Sequence, residues 1–161
     1  MRRTILITLI IFVIIQFFRP TRNISAATSP SDIVHVYNVP ADVNDILKKA
    51  CNDCHSNKTK YPWYTNIQPI GWWLQHHVNE AKSELNFAEF ATYTPKRQHH
   101  KLQETAETVE KHEMPLPSYL SMHDEAKLTD AERKTLINWA KNLSDEIAQK
   151  NNLPKESEHE H

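Results

Sequence analysis

Five consecutive residues, Cys51-Asn52-Asp53-Cys54-His55, restrict this chain more than any other part of it. They hold both of its cysteines, and a histidine follows the second directly. C-x-x-C-H is the attachment signature of c-type haem. Residues three apart share one side of a helical turn, so both thiols can reach the two vinyl groups along one porphyrin edge. The next residue then falls beneath the ring, where a neutral imidazole can ligate the iron.

Other chemistries fit the same residues less well. A zinc site takes four ligands, commonly from a second C-x-x-C or an H-x(3–5)-H pair. The sequence has no third cysteine. A thioredoxin-like redox pair needs a βαβ setting, and convincing strand patterns are missing. A structural disulfide suits an exported protein but gives no reason for His55.

Composition narrows the rest. The 161 residues suffice for one domain with a modest core. With 19 basic and 20 acidic residues the charge nearly balances, which disfavours nucleic acid as a partner. Glycine occurs once, at Gly71, against nine prolines. That suits helices punctuated by proline and excludes phosphate loops and dinucleotide fingerprints.

Residues 1–18 read as a targeting segment. Arg2 and Arg3 precede an apolar run from Ile5 to Phe18, broken only by Thr8 and Gln16. As a helix the run spans about 21 Å, short of a ~30 Å bilayer core and near the length of a signal-peptide core. The nearest small-x-small site, Ser25-Ala26-Ala27, lies beyond Arg19, Pro20 and Arg22. We therefore expect an uncleaved membrane anchor rather than a removed signal. Covalent haem attachment in bacteria takes place outside the cytoplasmic membrane, so the domain is expected on the periplasmic face, or in the periplasm if the segment is cleaved. Residues 19–39 are rich in Ser, Thr, Asn, Ala and Pro and read as a linker.

Residues 40–150 form the expected domain. A first helix from Pro40 to Cys54 places Val43, Ile46, Leu47, Ala50, Cys51 and Cys54 at helical spacing. Ser56 to Gln68 reads as a loop around the haem edge. Its Lys58 and Lys60 are candidate propionate partners, and the carbonyl of Pro62 or Pro69 is a candidate acceptor for the His55 Nδ1 proton. A second helix, Pro69 to Leu85, carries the stripe Ile70, Trp73, Leu74, His77, Val78 and Ala81. A third opens with Thr94 as cap and Pro95 in its first turn and runs to about Glu113. The last opens with the capping box Thr129-Asp130-Ala131-Glu132 and runs to about Gln149. Residues 151–161 form a charged tail, expected to be disordered.

Met114-Pro115-Leu116-Pro117 stops the third helix. It leaves Met114 on a rigid segment where a thioether can meet iron opposite His55. His77 and His99 are rival ligands by helix face. Met122 lacks the proline bracket.

The stretch Cys51–Tyr64, reading C-x-x-C-H-S-N-x-T-x-Y-P-W-Y, resembles the bacterial haem-binding-domain family of small single-haem c-type cytochromes of the cell envelope. The likeness continues through Pro69-Ile70-Gly71-Trp72-Trp73, His77-Val78, Glu84-Leu85-Asn86-Phe87, Met114-Pro115 and Leu128-Thr129, covering about residues 40–145. Glycine is common in the family where Ala81 stands, and serine where Ala88 stands; both replacements are small. The resemblance implies haem binding through Cys51, Cys54 and His55, with Met114 at the family's Met-Pro segment.

These readings converge on an all-α, cytochrome c-like bundle of about four helices around one covalent haem c. The expected role is single-electron transfer to redox partners of the cell envelope, not enzymatic turnover. Two rivals differ in kind. One is a peroxidase-like enzyme or haem-based sensor with an open iron site. The other is a non-haem exported module with a Cys51–Cys54 disulfide.

Overall fold

The computed structural model describes residues 1–25 and 27–154. All regular elements among the described residues are helical, save one isolated bridge between Ile24 and Lys58. The expected tail therefore falls mostly outside the described residues.

Helix α1 (Arg2–Ile15) exposes its apolar side chains from Ile5 to Ile14. No described helix is long and apolar enough to cross a membrane. A short helix α2 (Ile33–Val36) follows, capped by Asp32, whose carboxylate accepts from the Val34 amide at 3.1 Å. The stretch 19–39 is therefore more than the linker its composition suggests. Ile33 is 1% exposed in the core, and Tyr37 and Val39 pack on it. Asn23 donates to the Ser56 carbonyl at 2.8 Å and to Thr59 Oγ1 at 2.9 Å, which ties this stretch to the loop after the cysteines. A few buried contacts order a polar segment whose average composition is that of a tether.

Helix α3 (Ala41–Ala50) buries Val43, Ile46, Leu47 and Ala50 on one face. The single helix expected to Cys54 is broken at Cys51, where φ −122° and ψ −44° leave the helical region. A separate turn, α4 (Asn52–His55), completes the motif. The amides of Cys54 and His55 donate to the Cys51 carbonyl at 3.1 and 2.9 Å. The break re-aims the motif relative to α3 without losing its internal turn.

A 3-10 turn, Trp63–Asn66, leads to α5 (Ile70–Glu84). Its buried positions are Gly71, Gln75 and Val78, not the whole predicted stripe. Gly71 sits there because a Cβ would strike the Thr65 carbonyl and lie 2.8 Å from Gln68 Nε2. Gln75 Oε1 accepts from the Tyr61 hydroxyl at 2.7 Å. The apolar stripe is real, but it faces a cavity described below.

After the 3-10 turn Phe87–Thr92 comes α6 (Pro95–Glu110), capped by Thr94 as expected. It ends three residues before the predicted stop. His112 adopts φ 61°, and the amides of Glu113 and Met114 fold back onto the Thr108 carbonyl at 2.9 and 3.1 Å. This αL termination, and not the prolines alone, delivers Met114. Helix α7 (Pro117–Leu120) and the 3-10 turn Asp124–Ala126 lead to α8 (Asp130–Lys150), which carries the full capping box.

Helix α6 packs along α8, joining Leu102, Ala106 and Val109 to Leu136, Trp139, Ala140, Leu143 and Ile147. Helix α3 lies against α8, adding Val43, Ile46 and Leu47. Cys51 and Met114 both pack against this core.

Candidate haem-binding site

The site begins with the His55 ring. Its Nδ1 lies 2.9 Å from the carbonyl oxygen of Leu85, the residue that closes α5. A carbonyl only accepts, so the proton sits on Nδ1 and Nε2 keeps its lone pair. The acceptor is Leu85, not Pro62 or Pro69. Sequence gives no signal for it, because every residue type offers a carbonyl. Phe87 meets the ring edge-on, with centroids 6.4 Å apart.

Burial lowers the His55 pKa against the opposing pull of the Leu85 and Ala81 carbonyls, which keeps the imidazole neutral. Burial also pushes the Cys51 thiol up to about 12, helped by the neighbouring Cys54. Cys54 rises to about 11, chiefly by burial and then through the Asp53 carboxylate. The two sulfurs are not bonded to each other.

Two cavities flank the motif. One, of about 400 Å³, is lined by Cys51, His55, Leu85, Phe87 and Met114 among others. The second, of about 440 Å³, meets Cys54 and the predicted α5 stripe, with Trp63, Tyr119 and Met122 opposite. The segment 114–119 lines both in turn: Met114 and Pro115 face the first, Leu116 and Tyr119 the second. Each is of cofactor-site size. A neutral imidazole nitrogen, a thioether, two thiols and apolar walls form a donor set that fits haem.

The whole-chain comparison agrees. Residues 10–142 match the haem-binding domain family. The chain belongs to that family. No curated protein and no solved structure matches it significantly.

The match begins inside α1 and takes in residues 19–39, earlier than the span 40–145 carried by the motifs. The packing of Ile33 and the bonds of Asn23 show residues 19–39 to be part of the same packed unit.

Within this haem-binding domain the rival ligands part company. Met114 shares a cavity with His55. His77 lies in the neighbouring cavity with Cys54, its ring tilted 52° against Trp73 with centroids 4.4 Å apart and its Nδ1 on the Trp73 carbonyl at 2.9 Å. His99 lines neither. It is buried between α6 and α8, where its Nδ1 lies 2.7 Å from Ser144 Oγ. Met122, 63% exposed, sits at the rim of the second cavity.

Two contacts at the site carry no sequence motif of their own. Tyr119 donates to Asp53 Oδ2 at 2.9 Å, joining the interior of the C-x-x-C-H turn to the segment after Met114. Lys101, on the first cavity's wall, donates to Glu84 at 2.9 Å and to Glu104 at 2.6 Å. Lys60 lines the second cavity; Lys58 lines neither.

Proposed function

We propose that this chain binds one haem covalently and carries single electrons in the bacterial cell envelope. The observation that carries the reading is the one cavity lined by Cys51, His55 and Met114 together. A haem there would be held by Cys51 from within this cavity and by Cys54 from the neighbouring one, both through thioethers, with His55 Nε2 and the Met114 sulfur as its iron ligands. A haem so held supplies a one-electron couple, and histidine–methionine ligation raises its potential.

The chain's own residues do the positioning. The Leu85 carbonyl fixes the His55 tautomer and ring plane, as outer-shell acceptors do for ligating histidines. Leu85, Phe87, Val109 and Leu128 supply the cavity's apolar walls. Until the haem is attached, the raised values keep the two buried thiols protonated, which disfavours thiolate exchange in an oxidising compartment. With two protein ligands no coordination position is open, so the role is that of a carrier between envelope redox proteins and not of an enzyme. Helix α1 tethers the domain to the periplasmic face of the membrane.

An absorption spectrum of the matured protein, wild type against Met114→Ala, tests the reading. A sulfur-to-iron charge-transfer band in the wild type that vanishes in the variant supports it. A high-spin ferric wild type overturns the carrier in favour of an enzyme or sensor. A denaturing gel without covalent haem stain leaves only a disulfide module.

A further inference from the structure

The domain presents an exposed aromatic face around the mouth of the second cavity, which Trp63, Ile70 and Trp73 line. Trp63 is 75% exposed and Trp73 is 54% exposed, and Ile67, Ile70 and Trp72 are exposed around them. Such a patch marks an interaction surface, and three features of the molecule say what covers it.

The first is continuity. The apolar helix α1 leaves the domain at this face. Gln68 donates its amide to Gln16 Oε1 at 2.8 Å, and Gln16 Nε2 donates to the Gln68 carbonyl at 3.2 Å. Trp72 Nε1 donates to the Phe18 carbonyl at 2.6 Å. Phe17 and Phe18 are themselves exposed there.

The second is charge. Residues 1–31 and 54–79 contain no aspartate or glutamate, although the chain has 20 acidic residues. The same stretches carry Arg2, Arg3, Arg19, Arg22, Lys58 and Lys60. Arg22 is held at the face by Asn66 Oδ1 at 2.6 Å and lies over the Tyr61 ring. Asp53 is the one acid lining the second cavity with Trp63 and Trp73. Tryptophans whose charged neighbours are mainly basic have the composition of a membrane–water interface, where the rings sit at headgroup level and the cations meet anionic lipid.

The third is length. Helix α1 has 14 residues, so it rises about 21 Å against a bilayer core of ~30 Å. A short apolar segment thins the bilayer or draws its flanks into the interface, and the flank here is the aromatic face.

We infer that Trp63, Ile67, Ile70, Trp72 and Trp73 seat the domain in the headgroup region of an anionic phospholipid bilayer. The inference rests on the tethering role proposed for α1 and adds the orientation. The second cavity, bounded by Trp63 and Trp73 and reaching Cys54, then opens towards the lipid, so electrons pass at the membrane surface.

The test is photo-crosslinking of the full, haem-loaded chain in vesicles of phosphatidylcholine and phosphatidylglycerol that contain a phosphatidylcholine with a diazirine near the headgroup end of its acyl chain. Mass spectrometry of tryptic peptides reads the adducts. Lipid adducts on the peptide of residues 61–82, as well as on α1, are the expected result. Adducts confined to α1 overturn the seating while leaving the tether intact, and assign the aromatic face to a protein partner. No adducts anywhere remove the tether and the seating together.

Discussion

The Tyr119 hydroxyl donates to Asp53 Oδ2 at 2.9 Å, so a residue between the two cysteines is fastened to the segment that follows Met114. Asp53 Oδ1 accepts from the Lys60 amide at 3.2 Å, which ties in the loop after the motif as well. Burial, reinforced by the Asp53 carboxylate, pushes the Tyr119 hydroxyl up, so it remains a donor across the working pH range. The motif is thereby braced to the element that carries its proposed opposite ligand.

Tyr119→Phe removes that brace and leaves one carboxylate oxygen without its partner. We expect a loss of about 1–2 kcal/mol in urea unfolding, the usual size for a hydrogen bond to a charged group that keeps some solvent. On the proposed ligand set, the sulfur-to-iron band of the variant disappears at a lower urea concentration than global unfolding. Coincident loss of band and fold in both proteins excludes the bracing role.

Gly71→Ala tests why the chain's one glycine stands where it does. Its added methyl strikes the Thr65 backbone oxygen and crowds both polar atoms of the Gln68 amide. Gly71 is in the first turn of α5, where alanine is still the better helix former by intrinsic preference, so the packing and the propensity predict opposite signs. Backbone cannot yield as a flexible side chain can, and the overpacking cost of about 1–3 kcal/mol wins. Chemical denaturation of the variant should show a lower midpoint.

Much of this structure is written in local pattern. Thr94-Pro95 and the Thr129–Glu132 box start α6 and α8 where capping rules put them, and the apolar spacing of both helices names the core they share. What is not legible depends on single contacts made in three dimensions. Ile33 is one of several aliphatic residues scattered through a polar stretch, and its burial, with the packing of Tyr37 and Val39, shows that the stretch belongs to the domain. The α5 stripe looks like a core face because a cavity wall and a core face have the same periodicity. At the site, Met114 and His77 both have a place beside a cysteine. Which of them joins His55 follows from the turn at His112, a left-handed residue that no glycine announces.

Acid should loosen the contact between α3 and α8. Glu132 Oε1 accepts from Lys49 at 2.6 Å, and its other oxygen accepts from the Thr129 amide at 2.8 Å. These bonds, Lys49 first, hold its carboxyl down to about 2 from an ordinary 4.5. A carboxyl with a depressed folded value binds its proton more readily when unfolded, so its stabilisation is complete above about 4.5 and is lost as pH falls towards 2. Glu132→Gln lacks that dependence. The difference in unfolding free energy between wild type and variant should shrink steadily over this range, from about 1 kcal/mol, the scale of a cap. A difference independent of pH would rule out this pair as the source.

His112→Gly should stabilise the protein. His112 holds φ 61° at the end of α6 and is exposed there. An L-residue in the left-handed region costs roughly 1–2 kcal/mol, which glycine avoids. Glycine returns part of this through its greater freedom in the unfolded chain, leaving a net gain of about 0.5–1 kcal/mol. The exchange preserves the fold-back of the Glu113 and Met114 amides onto Thr108, so the iron spectrum should be unchanged while the unfolding midpoint rises. His112→Val, β-branched and intolerant of positive φ, should do the reverse, lowering the midpoint and releasing Met114 from its place beside His55.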